Sequence, residues 1–233
     1  MALPKLNTPT HKLVLPSTNE EVKFRPFLVK EQKLLLMAQQ SDDKNEINDA
    51  IIDIIKGCTG LDAENLPMYD VEYIFLKLRA KSVGDIIEIN LLCADDGVTR
   101  VPTKIDLNDI EVMSSVDHDN IIQLTDDIKL VMSYPTMKDM KDVSILDADV
   151  NVIFDILKNC ISEVHNGDEV VNRVDIKKEE LSEFIDSLNT AQFDKLMTFF
   201  NTMPKVRHVI EIKNPKTKKK NEVLLEGLQS FLD

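Results

Sequence analysis

The sequence predicts an α+β fold. A short hairpin pattern comes first, followed by helical patterns, a run of strands, more helical patterns and a last hairpin. Segments whose apolar residues alternate, which predict strands, are therefore grouped apart from segments whose apolar residues recur about every 3.6 positions, which predict helices. A βαβ fold would alternate the two kinds of segment. We expect an N-terminal β-hairpin, helical layers, central antiparallel strands and a C-terminal β-hairpin.

The first part of the chain predicts one hairpin and three helices. In chain order these elements are strands at about 11–15 and 22–25, and helices from about 27, at about 44–56 and at about 67–82. Asp43 is the predicted cap of the second helix, with Glu46 three residues on, and Gly57 suits its end. The third helix is predicted by apolar residues at i, i+3, i+4 and i+7 from Val71.

The rest of the chain predicts strands, then helices, then a hairpin. In chain order the strands are at about 86–93, 98–106, 111–115 and in a hairpin within 121–135, the helices are at about 150–165, 176–189 and 191–203, and the last strands are at about 207–214 and 221–227. Asp175 and Thr190 are the predicted helix caps, and Pro204 ends the last helix. The polar stretch 136–148 is predicted to be a linker or a lid. The tail LQSFLD offers Leu228, Phe231 and Leu232 for docking.

These patterns divide the chain into four predicted segments. They are residues 1–84 with the hairpin and three helices, the β-rich region 85–148, the three-helix region 149–204, and residues 205–233 with the C-terminal β-hairpin and tail. The chain has 233 residues, which is enough for one large domain or two small ones.

Composition predicts a soluble protein of a reducing compartment. Hydrophobic residues make up 43% of the chain, yet no apolar run approaches the length of a membrane span. The first residues show no signal-peptide pattern. Three widely spaced cysteines form no disulfide framework, so the expected setting is cytoplasm, with no membrane partner.

Charge is unevenly distributed. The net charge is −13, but residues 205–220, KVRHVIEIKNPKTKKK, carry +6, which leaves −19 for the other residues. A bare nucleic-acid-binding protein normally shows a broad basic surface, so no specific nucleic-acid partner is expected. Self-association of the basic segment with an acidic body is possible for such a chain.

Most enzyme motifs are absent. The six glycines form neither a dinucleotide-binding nor a P-loop pattern, and no nucleophile elbow occurs. Each cysteine lies in or beside an apolar run, and the four histidines are interpreted as solvated or edge side chains. We therefore expect no enzyme activity and no cofactor. A hydrolase that uses the acidic pairs, such as Asp95–Asp96, is the alternative from another class.

Cys93 stands where a zinc ribbon would place its first ligand. A structural zinc site needs four ligands, normally two C-x-x-C pairs on two hairpin tips. Cys93 is followed by Ala94, Asp95 and Asp96, and the tip NPKTKKK of the last hairpin has no Cys or His. The last hairpin thus resembles a zinc ribbon without metal ligands, and we expect no metal site.

The lysine-rich tip has two interpretations. One is a solvated turn, and the other is a contact for an acidic protein surface or a weak phosphate contact. The predicted contact residues at this tip are Lys216, Lys218, Lys219 and Lys220.

Several long stretches resemble one family. LPKLNTP, FRPFLVKEQKLLLMA, DVEYIFLKLRAKSVGD, SLNTAQFDKLMTFFNTMPK and NEVLLEGLQSF resemble the baseplate hub assembly proteins of T4-like, contractile-tailed bacteriophages. The resemblance covers nearly the whole chain and is weakest over 95–150. Many family members carry cysteine pairs at both hairpin tips. This sequence keeps at most Cys93, so a family zinc site is not carried over.

The resemblance implies a function in phage tail assembly. It implies a non-enzymatic, chaperone-like factor that binds baseplate hub proteins in the host bacterial cytoplasm. The alternative is a permanent structural subunit of the virion baseplate. The expected contact surfaces are the helix that begins FLVKEQK and the paired helices 176–203. The predicted partner-binding residues of the first surface are Phe24, Arg25, Pro26 and Phe27.

Overall fold

The structure is a computed structural model of the chain, and it describes residues 7–41, 44–140 and 150–231. The helices are α1 (Val29–Ser41), α2 (Lys44–Thr59), α3 (Met68–Ser82), α4 (Val150–Cys160), α5 (Lys178–Asp186) and α6 (Thr190–Thr202). The strands are β1 (His11–Val14), β2 (Glu21–Phe24), β3 (Ile86–Leu92), β4 (Arg100–Asp106), β5 (Glu111–Met113), β6 (Ile121–Gln123), β7 (Ile128–Met132), β8 (Ile161–Asn166), β9 (Glu169–Asn172), β10 (Lys205–Lys213) and β11 (Lys220–Glu226). Every strand pair is antiparallel, which confirms the α+β class.

The chain divides into two compact units. The first unit combines Met1–Met113 with Lys205–Asp233, and the second unit is Ser114–Pro204. The C-terminal hairpin joins the first unit because β10 pairs with both β11 and β5. The four-segment division of the sequence stays a prediction.

The first unit is built around α3. Both sides of this helix are buried, because α2 and the strands β5 and β10 all contact it. The hairpins β1–β2 and β3–β4 each form a separate two-stranded sheet. The largest fully buried side chains of this unit are Ile54, Ile55, Ile74, Phe75, Leu76, Leu78, Ile105, Leu107, Ile110 and Phe231.

Three polar contacts attach loops to α3. Buried Asp70 accepts hydrogen bonds from the backbone N–H and the hydroxyl of Ser17 in the β1–β2 turn. Lys77 Nζ donates to three backbone carbonyls in the turn before β5, at 3.0–3.2 Å. Glu72 Oε1 accepts the N–H of Leu228 at 3.0 Å. The tail therefore docks as the sequence predicts, with Leu228 and Phe231 buried, while Leu232 lies outside the described residues.

The second unit packs helices on a four-stranded sheet of order β6-β7-β8-β9. Its core is built from Ile122, Leu124, Leu130, Met132, Leu157, Cys160, Ile161, Leu181, Ile185, Leu196 and Phe199. His118 lies against Tyr134 and Phe199, with ring centroids 5.7 and 5.2 Å away. The interpretation of His118 as a solvated or edge side chain is wrong, because its ring nitrogens bind Tyr134 and Thr202 hydroxyls.

The predicted helix 150–165 is wrong in its second half. The helix ends at Cys160, and Ile161–Asn166 forms strand β8 between β7 and β9. Ile161 and Val164 fit a helical face, but they are also β-branched residues that suit a strand. Pairing with two neighbouring strands decides the outcome, and the chain turns between β8 and β9 at Gly167 and Asp168.

Several predicted helix ends also differ. α2 continues past Gly57 to Thr59, and Gly60, at φ +81°, follows it instead. The cap of α5 is Lys177 instead of Asp175, and that of α6 is Asn189 instead of Thr190. Asn189 accepts from Gln192 N–H while Gln192 Oε1 accepts from Asn189 N–H, which is a capping box.

Two predictions lie partly or wholly outside the described residues. They are the cap at Asp43 and most of the linker or lid at 136–148, of which 141–148 is not described. Across the three described ranges, no helix is both long and apolar enough to cross a membrane.

Candidate protein-binding site

The tips of two hairpins in the first unit share one local geometry. In the β3–β4 tip, Gly97 N–H donates to the carbonyl of Cys93 at 3.0 Å, and in the β10–β11 tip Lys218 N–H donates to the carbonyl of Asn214 at 2.9 Å. Gly97 and Lys218 both adopt positive φ, 67° and 66°. The two tips are therefore similar turns, although their sequences differ.

A network of side chains holds the two tips together. Asn214 Nδ2 donates to Asp95 Oδ1 and to Asp96 Oδ2, each at 2.9 Å. The hydroxyl of Thr217 donates to Asp95, and the Asp95 N–H donates to Asn221 Oδ1 at 2.8 Å. We call these five residues the tip clamp. The Asn214 side chain is fully buried, while its acceptors Asp95 and Asp96 are exposed and half-buried, and its hydrogen bonds fix the position of the basic loop.

Hydrogen bonding also sets the charge state of the clamp. The Thr217 hydroxyl and the Asn214 amide lower the pKa of Asp95. The hydroxyl and N–H of Thr99, with Asn214, lower the pKa of Asp96. Both carboxylates are thus stabilised in the charged form, and they place negative charge beside the lysine-rich loop.

The tip residues do not fit a zinc ion. Cys93 and Asp96 on one tip, with Asn214 and Thr217 on the other, have the i, i+3 spacing of paired C-x-x-C ligands. Only Cys93 carries a thiol, and its burial, with nearby carboxylates, raises its pKa, so the thiolate ligand is disfavoured. The Asn214 side chain binds Asp96, and the Thr217 hydroxyl binds Asp95, so these side chains are engaged in hydrogen bonds with one another's tips. In the described part of the chain, no three His, Cys, Asp or Glu residues are grouped as metal ligands.

The four predicted lysines of the tip are all exposed. Lys216, Lys218, Lys219 and Lys220 form what we call the basic tip. Lys220 Nζ lies 2.8 Å from Glu211 Oε1, and both side chains are largely exposed, so this ion pair contributes little to stability. The basic tip therefore presents a compact group of ammonium charges on a loop whose position is fixed by the hydrogen bonds of the tip clamp.

The other predicted binding residues are used inside the fold. Phe24 and Pro26 are buried. Arg25 Nη2 binds Glu31 Oε1 at 2.7 Å and the carbonyl of Gly57 at 2.8 Å. Phe27 is half-buried, and its ring contacts that of Phe75 at 5.8 Å. The partner-binding role of Phe24, Arg25, Pro26 and Phe27 stays a prediction that the structure does not test.

The outer face of α1 exposes apolar side chains instead. Val29, Leu36 and Met37 are 82%, 52% and 58% exposed, and we call them the α1 stripe. Their i, i+7 and i+8 spacing places them on one side of the helix, which also carries Lys30 and Lys33. The run LLLM at 34–37 is the sequence signal for this stripe. Four consecutive apolar residues lie on more than one side of a helix, so they extend beyond a single buried face.

The comparisons with known proteins place the chain in a family. A family model described as "T4 bacteriophage base plate protein" matches residues 8–233. No curated protein and no solved structure matches the chain. Because the family model spans nearly all of the sequence, including both hairpin tips and α1, the chain belongs to the T4 bacteriophage base plate protein family.

Proposed function

We propose that this protein is a non-enzymatic, chaperone-like assembly factor of the phage baseplate hub. It acts through protein contacts in the host bacterial cytoplasm, holding a hub protein in a state that can join the baseplate. The single observation that carries the proposal is the basic tip, a positively charged loop fixed by the tip clamp around the buried Asn214 side chain, in a chain of the base plate family. Binding holds a partner in one state only if that state is bound more tightly than the others.

The basic tip and the α1 stripe, both in the first unit, make different contributions to binding. The basic tip attracts an acidic patch of the hub protein and speeds the encounter, since charges at a rim mainly affect association rate. The α1 stripe contributes the apolar contact area, which supplies most of the binding free energy in such interfaces. Lys30 and Lys33 beside the stripe favour the same acidic partner.

Several features support a function without catalysis. Burial raises the pKa of Cys160 to about 12 and also raises the pKa of Cys58, so both thiols are poor nucleophiles. The Asp95–Asp96 pair, which the hydrolase alternative uses, has lowered pKa values instead of the raised value of a general acid. These carboxylates are also engaged in the tip clamp.

A permanent structural role in the virion baseplate is the second candidate. The family description, which names the base plate itself, favours it. The two candidates share partners and surfaces, and they differ in whether the protein remains in the finished particle.

One experiment on infected cells tests both candidates. The full chain with an affinity tag is recovered during infection under mild salt, and co-purifying proteins are identified. Virions purified from the same culture are then analysed by quantitative peptide mass spectrometry. An assembly factor is recovered with hub proteins and is absent from virions, whereas a structural subunit is present there in fixed stoichiometry. Recovery of no hub protein contradicts both candidates.

A matched variant links the result to the basic tip. The four lysines of the basic tip are replaced by Gln, and in the control four exposed lysines elsewhere are replaced by Gln, namely Lys23, Lys56, Lys104 and Lys178. Both variants lose the same charge. Hub recovery is expected to fall only with the basic-tip variant, and an equal fall in both would show that only net charge matters.

A further inference from the structure

A small pocket of the second unit gathers three cationic side chains. It is lined by residues of α4, of α5 and of the short 3-10 helix Arg173–Asp175, and its volume is about 190 Å³. We call it the α4–α5 pocket, and its lining residues are Asp155, Lys158, Asn159, Arg173 and Lys178. None of these residues belongs to the basic tip or to the α1 stripe, so the proposed hub contacts leave this pocket unused.

The cations of the α4–α5 pocket contrast with the charge of the unit around them. Residues 114–204 contain 18 acidic and 8 basic side chains, which gives a net charge of −10. Three of these basic side chains nevertheless line one pocket, with Asp155 as the single carboxylate, so the lining carries a formal charge of +2. Like charges that converge repel one another, and an anion bound between them offsets this repulsion.

Two of the three cations are held in position by protein contacts. Lys158 Nζ lies 2.5 Å from Asp155 Oδ1 and 3.4 Å from Ser182 Oγ. Arg173 Nη1 donates to the carbonyl of Ile176 at 3.2 Å. A guanidinium carries five N–H donors, so this one contact leaves Arg173 with donors for a ligand. Both side chains are ordered before a ligand arrives, which lowers the entropic cost of binding.

The neighbouring carboxylates do not neutralise these cations. The Asp155 side chain is 67% exposed, so water weakens its attraction to Lys158. Glu179 and Glu180, in the first turn of α5, do not line the pocket. Glu180 Oε1 instead lies 3.5 Å from Lys177 Nζ. The positive charge of the lining is therefore available to a ligand.

The size and charge of the α4–α5 pocket limit the ligand class. Its volume is that of about six water molecules at roughly 30 Å³ each. Pockets for drug-sized ligands measure about 300–1,000 Å³, so a nucleotide is too large to be enclosed, whereas a single phosphate group is not. A phosphate ester carries about −1.5 to −2 at pH 7, which matches the +2 of the lining.

We propose that the α4–α5 pocket binds one phosphate group, either free inorganic phosphate or the terminal group of a small phosphate ester. Arg173 donates N–H groups to two of its oxygens, because a planar guanidinium matches phosphate geometry. Lys158 and Lys178 contribute ammonium charge, and the Asn159 amide supplies a neutral donor. Three charged contacts, reduced by the cost of immobilising the ligand, give a dissociation constant in the micromolar to millimolar range. This site does not depend on the proposed assembly role.

A phosphate titration followed by amide NMR spectroscopy tests the site in the full chain. Inorganic phosphate, or glycerol phosphate in a second series, replaces chloride at constant ionic strength, so general screening does not change. We expect saturable shifts of amide signals around the α4–α5 pocket. Saturation by either anion supports the proposal, and the anion that binds identifies the source of the phosphate group. The absence of saturable shifts there, or shifts at the basic tip only, overturns it.

Two substitutions with opposite expected effects test the lining residues. In Arg173→Gln the dissociation constant should rise at least about tenfold, because a bidentate charged contact is lost. In Asp155→Asn it should fall about threefold, because a carboxylate that repels the anion is removed. Such a gain in affinity does not result from loss of folding. Lys177→Gln is the matched control, since it removes one charge beside the pocket from a residue outside the lining, and less than about a twofold change is expected.

The variants also give the results that would overturn the site. Arg173→Gln with the affinity of wild type excludes the guanidinium contact. Asp155→Asn without tighter binding excludes an anion beside that carboxylate. Equal weakening by Arg173→Gln and Lys177→Gln, in variants whose thermal unfolding is normal, indicates a response to net charge alone. Each of these results overturns the proposal.

Discussion

Asn214 binds Asp96 across two hairpin tips, with its side-chain Nδ2 2.9 Å from Asp96 Oδ2, although the residues are 118 positions apart. The same Nδ2 also binds Asp95. Hydrogen bonds between side chains thus join the two tips. The basic tip depends on this contact for its position.

Asn214→Ala is expected to destabilise the first unit. The change leaves two carboxylates without their amide donor and opens a space in a fully buried position. Loss of such a buried hydrogen-bonding partner costs about 1–3 kcal/mol of unfolding free energy. Urea unfolding measures this loss of unfolding free energy. Lys216→Ala, which changes an exposed side chain of the same loop, is the control. An unchanged unfolding free energy in Asn214→Ala would show that the tips are held by other contacts.

The basic-tip variant with four Gln is expected to fold normally and to bind more slowly. The lysines are exposed, and surface changes of this kind usually alter stability by less than about 0.5 kcal/mol each. Stopped-flow association with a recovered hub protein is expected to be slower at low salt and equal to wild type at high salt, because salt screens the attraction. Identical rates at all salt concentrations would support the interpretation of the tip as a solvated turn.

A metal chelator is expected to leave thermal unfolding unchanged. Only one thiol is present at the tips, and the remaining positions are engaged in the tip clamp. Protein purified without added metal is expected to contain substoichiometric zinc by elemental analysis. One zinc per chain, together with a lower unfolding temperature after chelation, would contradict this account of the tips.

Glu72 is expected to make stability fall as pH rises toward neutrality. Burial raises the pKa of Glu72 from 4.5 to about 7 despite the hydrogen bond from Leu228 N–H. The folded state therefore binds a proton more tightly than the unfolded state, and this contribution is full below pH 4.5 and is lost as pH rises through 7. Gln does not titrate, so the unfolding free energy of Glu72→Gln should rise by about 1–3 kcal/mol relative to that of wild type as the pH goes from 5 to 8.

Both proteins contain the other acids, whose lowered pKa values make stability rise with pH. The difference in unfolding free energy between wild type and Glu72→Gln therefore reports Glu72 alone. Urea unfolding at several pH values gives the difference between the two proteins. A difference that is constant with pH would mean that Glu72 titrates normally in the folded protein.

Glu31→Gln is expected to destabilise the fold because it breaks a partly buried ion pair with Arg25. Burial favours the neutral acid, but hydrogen bonds from Arg25, Leu28 N–H and Lys30 outweigh it and lower the pKa of Glu31 to about 2. Removing the carboxylate leaves the half-buried Arg25 guanidinium with only the Pro26 and Gly57 carbonyls as partners, at a cost of about 1–3 kcal/mol. Thermal and urea unfolding measure this cost. Exposed Glu21→Gln is the control, and equal stability of both variants would exclude a structural role for the pair.

The sequence by itself determined the regular elements that depend on local patterns. α3 was predicted to within about one residue, because its apolar residues recur with the period of a helix from Val71 onward. The β3–β4 and β10–β11 hairpins followed from alternating residues around turn formers. The exposure of the basic tip followed from its lysines, which carry charges that favour water.

Only the tertiary structure decided features that depend on distant neighbours. Ile161–Asn166 became a strand because β7 and β9 both offer hydrogen bonds to it, which local periodicity does not reveal. The contacts of the Arg25 guanidinium with Glu31 and Gly57 are likewise set by the fold, while the predicted role of Arg25 in partner binding stays a prediction. The meeting of Asn214 with Asp96 depends on the packing of two hairpins, since no short-range pattern specifies which distant polar groups will satisfy each other's hydrogen bonds.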